Sequence, residues 1–145
     1  MPSLQGLSHL GLSVTDLPSA TRFWTEILGF DVIVDSPTFC LLLHREGRVA
    51  LGMSNHDATV TGEFSETNVG LDHVALAVTS ADALADWAQR LDELGIPHSG
   101  ITTSDFGHHI NLRGPGNFPV ELFVISTEAA ASMGLMSRAD TVARS

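Results

Sequence analysis

The 145-residue chain contains no lysine and no tyrosine, one cysteine, and only seven basic residues, all arginine, against 17 acidic ones. Each shortage removes a class of function. Without lysine there is no amine for Schiff-base catalysis, and without tyrosine there is no phenolic acid or base. A formal net charge of −10 repels phosphate backbones and anionic bilayer surfaces, so neither nucleic acid nor membrane is an expected partner. Cys40 alone cannot close an internal disulfide. Its setting in TFCLLL reads as a packed small hydrophobe, which fits a reducing cytoplasm. No run approaches about 18 apolar residues, and no basic stretch leads into a long apolar one, so spanning and secretion are not expected. At 43% hydrophobic content the chain has enough apolar surface to bury a core as one domain, 1–145.

What is present is an internal repeat. LSHLGLSVTDL and LDHVALAVTSA each place a histidine, His9 and His73, at the head of an apolar strand that runs into a helix. In the first half Ser8–Val14 reads as a strand. A helix follows with Asp16 as N-cap, Pro18 in its first turn, Gly29 as its stop, and Ala20, Phe23, Trp24, Ile27 and Leu28 as its buried stripe. Three short strands are expected after it, at Phe30–Val34, Thr38–His44 and Val49–Met53. In the second half, Leu71–Val78 is a strand and Ser80 caps a helix with Leu84, Trp87, Leu91 and Leu94 on one face. Strands are expected around His98–Thr102, His108–Leu112 and Pro119–Ile125, with RGPGN as the turn before the last. The order is βαβββ twice: a first module at 7–53, a polar linker at 54–70, a second module at 71–125, and a tail at 126–145. The tail begins with a short helix capped by Ser126 or Thr127, and ADTVARS at its end is expected to fray.

Side chains on a strand alternate, so His9, Gly11 and Ser13 share a face, as do His73, Ala75 and Ala77. Glu121 shares its face with Pro119 and Phe123. A carboxylate inside PVELFV is costly to bury unless it is paired or bound to a metal. Two imidazoles and one carboxylate are the ligand set of a facial triad, although a buried histidine can equally be hydrogen-bonded and a strand glutamate salt-bridged.

The paired modules, SHLGLSV with DHVALAV, ILGF with ELGI, and the ending RGPGNFPVELFV together resemble the vicinal oxygen chelate superfamily. That group contains glyoxalase I, extradiol dioxygenases, fosfomycin resistance proteins and bleomycin-binding proteins. The resemblance covers about Leu7 to Ile125. It implies an α+β fold in which two βαβββ modules form an open, cup-shaped mixed sheet around one divalent ion, with His9, His73 and Glu121 as ligands. An overlay of GRVALGMS on NFPVELFV puts Leu51 where glyoxalase I would have a further glutamate. The remaining pattern resembles extradiol dioxygenases and fosfomycin enzymes. Asn111, however, stands where both groups usually show tyrosine, and no lysine is available for a phosphonate.

These readings lead to a set of expectations. The candidate acid or base is His109, which shares a face with Asn111 and carries the side chain most often used for acid–base work. Phe39, Leu41, Leu43, Leu51 and Met53 are expected to form one apolar pocket wall, with Asn111 also lining the pocket, suited to an apolar or aromatic small molecule with adjacent oxygens. Arg113 either steers an acidic substituent or stabilises the GPGN turn. His56 is a candidate pocket lid or replacement ligand, and His44 and His98 read as exposed strand-end residues. The most specific function is Fe(II)-dependent extradiol ring cleavage by a homodimer. A non-oxidative isomerase, epimerase or lyase using Mn, Zn, Ni or Co, and a metal-free binding protein, are the alternatives.

Overall fold

The computed structural model describes residues 7–135 and divides into two compact units. The first comprises residues up to Asp72 together with Arg113–Phe118; the second comprises His73–Leu112 and the chain from Pro119 onward. The last residues of the tail, including ADTVARS, lie outside the described residues.

In the first unit, strands β1 (Leu10–Ser13), β2 (Asp31–Asp35), β3 (Phe39–His44) and β4 (Val49–Ser54) form a sheet in the order β1-β4-β3-β2. Strand β1 runs parallel to β4, and the other pairs are antiparallel. The Asp16 carboxylate caps helix α1 (Leu17–Arg22) by accepting from the Ser19 amide at 2.9 Å. The apolar periodicity predicts one helix as far as Gly29, but the chain instead widens into a π-helical turn over Phe23–Ile27. Thr21 and Thr25 hydroxyls donate to the carbonyls of Leu17 and Thr21, back-bonding that bends a helix, and the Phe30 amide reaches back to the Trp24 carbonyl at 3.0 Å. The wide turn brings Phe23 and Trp24 into the core, where Trp24 meets Phe23 and Phe30 edge-on at 5.6 and 5.1 Å. Ile27 is left half-buried.

The second unit repeats the plan. Strands β5 (Val74–Ala77), β6 (Thr102–Ser104), β7 (Gly107–Arg113) and β8 (Pro119–Ile125) order as β5-β8-β7-β6, with β5 parallel to β8. Helix α2 (Ala81–Glu93) is capped by the Ser80 hydroxyl, which accepts from the Ala83 amide at 3.1 Å, and ends before Gly95 at φ +66°. Leu84 and Leu91 are fully buried, whereas Leu94, expected on the same stripe, is exposed because it sits at the helix C-cap. Strand β6 begins at Thr102, later than expected; His98 contributes only an isolated bridge to Leu112. Helix α3 (Thr127–Ser132) starts from Ser126, whose hydroxyl accepts from the Ala129 amide.

Each sheet has one covered and one open face. In the first, Cys40, Leu42, Leu51 and Met53 are buried on the helix side, where Thr21 of α1 lies beside the Cys40 thiol. In the second, Ile110, Leu112, Val120 and Leu122 are buried on the covered side. The alternate residues of each strand point to the other face. Among the described residues no helix is long and apolar enough to cross a membrane.

Candidate metal centre and ligand recess

His9 and His73 occupy matching positions, one residue before β1 and β5. Register completes the symmetry: Gly11 pairs with Gly52 in the first sheet and Ala75 with Glu121 in the second. The counterpart of Glu121 in the first module is therefore Gly52, and the overlay on Leu51 is out of phase by one residue. Gly52 has no side chain, and the Phe39 ring covers it, with Cε2 and Cζ 3.3 and 3.5 Å from where a Cβ would lie. An apolar ring thus stands where a second carboxylate would have to enter.

The same register divides the expected pocket wall. Directly paired residues on neighbouring strands point to one face, and Leu51 pairs with Leu42 and Met53 with Cys40. Both are packed into the covered core, at 1% and 0% exposure, although Met53 also reaches the floor of the recess described next. Phe39, Leu41 and Leu43 pair with Ser54, Gly52 and Ala50, on the open face shared by His9, Gly11 and Ser13. A recess of about 530 Å³ opens there, bordered by His9, Gly11, Ser13, Phe39, Leu41 and His56. The Ser8 hydroxyl bonds His9 Nδ1 at 3.0 Å, and the Ser13 hydroxyl bonds His56 Nε2 at 3.0 Å.

In the second unit, His73 Nε2 lies 3.9 Å from Glu121 Oε1, with the carboxylate only 16% exposed. Two donors that hold one ion at about 2.1 Å, with ligand angles of 90–110°, stand about 3.0–3.4 Å apart. A closure of under about 1 Å would bring this pair to that spacing, so the donor chemistry and geometry fit a divalent ion. Burial alternates along β7 so that His109 and Asn111 face away from Ile110 and Leu112. The His109 ring stacks on Phe123, two residues after Glu121 on the same face, at 6.5 Å and 25°. Its Nδ1 is buried with no hydrogen-bond partner. His9 belongs to the first unit, and no group of three or more His, Cys, Asp or Glu side chains arranged to hold a metal occurs among the described residues.

The other candidates have structural roles. Arg113 donates to both Glu66 carboxylate oxygens and to the Asn117 carbonyl, tying the turn to the linker, and holds the Glu66 carboxyl down at about 2. His44 is half-buried rather than exposed: Nδ1 accepts from the Gly47 amide and its ring lies against Phe30. The His98 side chain is 9% exposed and bonds Asp92 at 3.1 Å, again unlike a free strand end. His108 faces away from His109 and bonds the Thr103 hydroxyl. Burial pushes the Cys40 thiol pKa up, which opposes thiolate chemistry. Sequence reading missed Ser13 and Phe123 as site residues; their shared parity with His9 and Glu121 was the available signal.

Comparison with known proteins accords with the fold. Residues 6–122 match the model of the Glyoxalase/Bleomycin resistance protein/Dioxygenase superfamily. The chain is 27% identical over 121 residues to biphenyl-2,3-diol 1,2-dioxygenase 3 of Rhodococcus globerulus, covering 80% of this chain but only 61% of that protein. A glyoxylase/bleomycin resistance protein/dioxygenase domain from Frankia sp. EAN1pec superposes with a TM-score of 0.73 at 30% identity, covering 86% of this chain and all of that one. A fosfomycin resistance protein of Listeria monocytogenes, complexed with Mn(II) and 1S,2S-dihydroxypropylphosphonic acid, superposes with a TM-score of 0.66 at 19% identity, covering 90% and 99% of the two chains. At that identity the likeness is one of fold.

Proposed function

Because the chain belongs to the Glyoxalase/Bleomycin resistance protein/Dioxygenase superfamily, we propose that it is a metal-dependent enzyme that chelates a small substrate through two adjacent oxygens, with Fe(II)-dependent extradiol ring cleavage as the specific reaction. The observation that carries this reading is the His73–Glu121 pair at 3.9 Å, with His109 on the same face and stacked on Phe123. His9, at the matching position of the first module, supplies the third donor, either from the same chain or from a second copy. The similarity to a biphenyl-diol dioxygenase supports an aromatic diol as the substrate class.

A bound Fe(II) would supply Lewis-acid polarisation of the two oxygens and a redox centre for dioxygen. Glu121 contributes the negative charge that favours a divalent ion on an otherwise neutral donor set. His109 is the base on that face. A buried ring nitrogen without a partner costs about 1–3 kcal/mol, a cost that a substrate hydroxyl would offset as it gives up its proton. Asn111, beside it in parity, offers an amide that can hydrogen-bond but cannot exchange protons.

The test is metal analysis of protein purified without chelator or nickel, followed by oxygen-uptake assays with catechols on the Fe(II) form. Glu121→Ala should abolish stoichiometric metal, and undiminished binding would remove Glu121 from the ligand set. Catechol binding without oxygen uptake would move the assignment to a non-oxidative isomerase, epimerase or lyase. Mixing His9→Ala with Glu121→Ala protein locates the third donor. A homodimer that exchanges His9 between copies regains one intact site per mixed pair, whereas sites built within each chain regain none.

A further inference from the structure

We propose that the open face of the first sheet carries a slot for one flat aromatic ring, closed at the end away from His9 by a Ser13–His56 pair that recognises a neutral oxygen substituent. The proposal deepens the functional reading above and rests on it for the position of the chelating oxygens.

The slot follows from two paired glycines with different surroundings. A Cβ at Gly52 would press on Phe39, so that position is already filled; a Cβ at Gly11 would meet nothing within 4 Å. The space above Gly11 is therefore open and flanked by the Phe39 ring. Along β1 it is bounded by His9 two residues before and Ser13 two residues after, a span of about 13 Å at ~3.3 Å per residue. This accommodates one ring with a substituent at each end.

The far end is built at a conformational cost. His56, Asp57 and Ala58 have φ of +49°, +58° and +60°, three consecutive non-glycine residues in the left-handed region. Each costs about 1–2 kcal/mol in general, and such strain persists only where surrounding bonds over-determine it. Here they do. Asn55 donates to the Pro37 carbonyl and accepts from the Ala58 amide, the His56 amide donates to the Ser54 hydroxyl, and the Thr59 hydroxyl donates to the His56 carbonyl. The result holds His56 Nε2 on the Ser13 hydroxyl at the rim of the recess. Hydroxyl and imidazole together can donate and accept, but among the described residues no arginine borders the recess, and the chain carries a net charge of −10. The pair therefore suits a carbonyl or hydroxyl and disfavours a carboxylate.

Binding to the metal-loaded protein is measured by calorimetry for 3,4-dihydroxyacetophenone, 4-ethylcatechol and 3,4-dihydroxybenzoate. The ketone should bind about tenfold more tightly than either of the others, the range of one well-made hydrogen bond. Ser13→Ala and His56→Ala should each bring that preference to within about twofold. Gly11→Val should weaken all three roughly tenfold or more by occupying the slot, and Gly11→Ala, a single methyl, should weaken them a few-fold. Preference unchanged in both polar variants, or affinities unchanged in a natively folded Gly11→Val protein, would overturn the proposal. A second arm uses chelator-stripped protein and 4-hydroxyacetophenone, which lacks adjacent oxygens. Gly11-dependent binding of this probe supports the slot even if catechols fail to engage a metal, an outcome that defeats only the preceding functional reading. Absence of such binding defeats the slot even if catechols do engage the metal.

Discussion

Gly107→Ala should cripple the fold, while the same substitution at Gly11 should not. Gly107 opens β7 at φ +151°, and an added Cβ would press into the Val124 carbonyl oxygen and stand 3.0 Å from the Ser126 amide nitrogen. Both obstacles are backbone, so no rotamer change relieves them. The start of β7 would have to leave the end of β8, breaking the 2.8 Å bond from the Ser126 amide to the Phe106 carbonyl. Holding alanine in that backbone region costs about 1–3 kcal/mol, and overpacking adds about 1–3 more. The expected loss of about 2–6 kcal/mol is a large share of the ~5–15 kcal/mol that stabilises an ordinary domain. At roughly 2–4 °C per kcal/mol for chains of about this size, the melting temperature should fall by about 4–24 °C. Gly11→Ala, with open space above it, should be neutral or stabilising by up to about 1 kcal/mol. Urea titrations followed by far-UV circular dichroism on both variants make the comparison. A loss under about 1 kcal/mol in Gly107→Ala would refute the steric reasoning. Any Gly107→Ala protein that does fold should show altered activity, because His109 lies two residues along the displaced strand.

Four other outcomes are expected. Leu91→Ala, at a fully buried site, should cost about 2–5 kcal/mol in the same titration. Ala58→Gly should stabilise by about 0.5–1 kcal/mol by removing a β-carbon from the left-handed region, seen as a rise in urea midpoint. The Arg113 hydrogen bonds lower the Glu66 carboxyl from 4.5 to about 2, so the folded state binds that proton more weakly than the unfolded chain. Its stabilising contribution is complete above about pH 4.5 and fades as pH falls toward 2, and Glu66→Gln should flatten the stability profile across that window. His109→Ala should slow turnover by roughly 10²–10⁴ with metal content unchanged, measured by steady-state kinetics beside metal analysis.

The parts of the molecule legible in the sequence are those written in local pattern. The Asp16 and Ser80 caps, the helix stops at Gly29 and Gly95, β8 to the residue, and the equivalence of His9 and His73 all follow from short-range chemistry and repetition. Phase across strands was not legible, because pairing is set by tertiary register rather than by composition. This is why Leu51 reads as pocket wall and as the counterpart of Glu121, when one step of register buries it and gives that place to Gly52. The π-helical turn was hidden for a related reason. Its hydroxyl back-bonds and the Phe30-to-Trp24 reach leave the apolar spacing of a regular helix unchanged. His98 and His44 read as exposed because their partners, Asp92, Gly100, Gly47 and Phe30, are set by turns whose shape the spacing does not encode.

The tie between the linker and the Arg113–Phe118 turn also sets an order of events at the ribosome. Glu66 waits for Arg113, 47 residues later, and the Phe64 carbonyl for the Asn117 amide, 53 residues later, while the Phe64 ring waits for Phe118. At roughly 5–20 residues per second of synthesis, that interval is about 3–10 s. The four strands of the first module therefore leave the ribosome before the linker's partners in the Arg113–Phe118 turn exist. A fragment ending at Asp72 would keep the residues of β1–β4 and leave Phe64 and Glu66 without their partners, so the linker's contacts are completed only by residues encoded inside the second repeat.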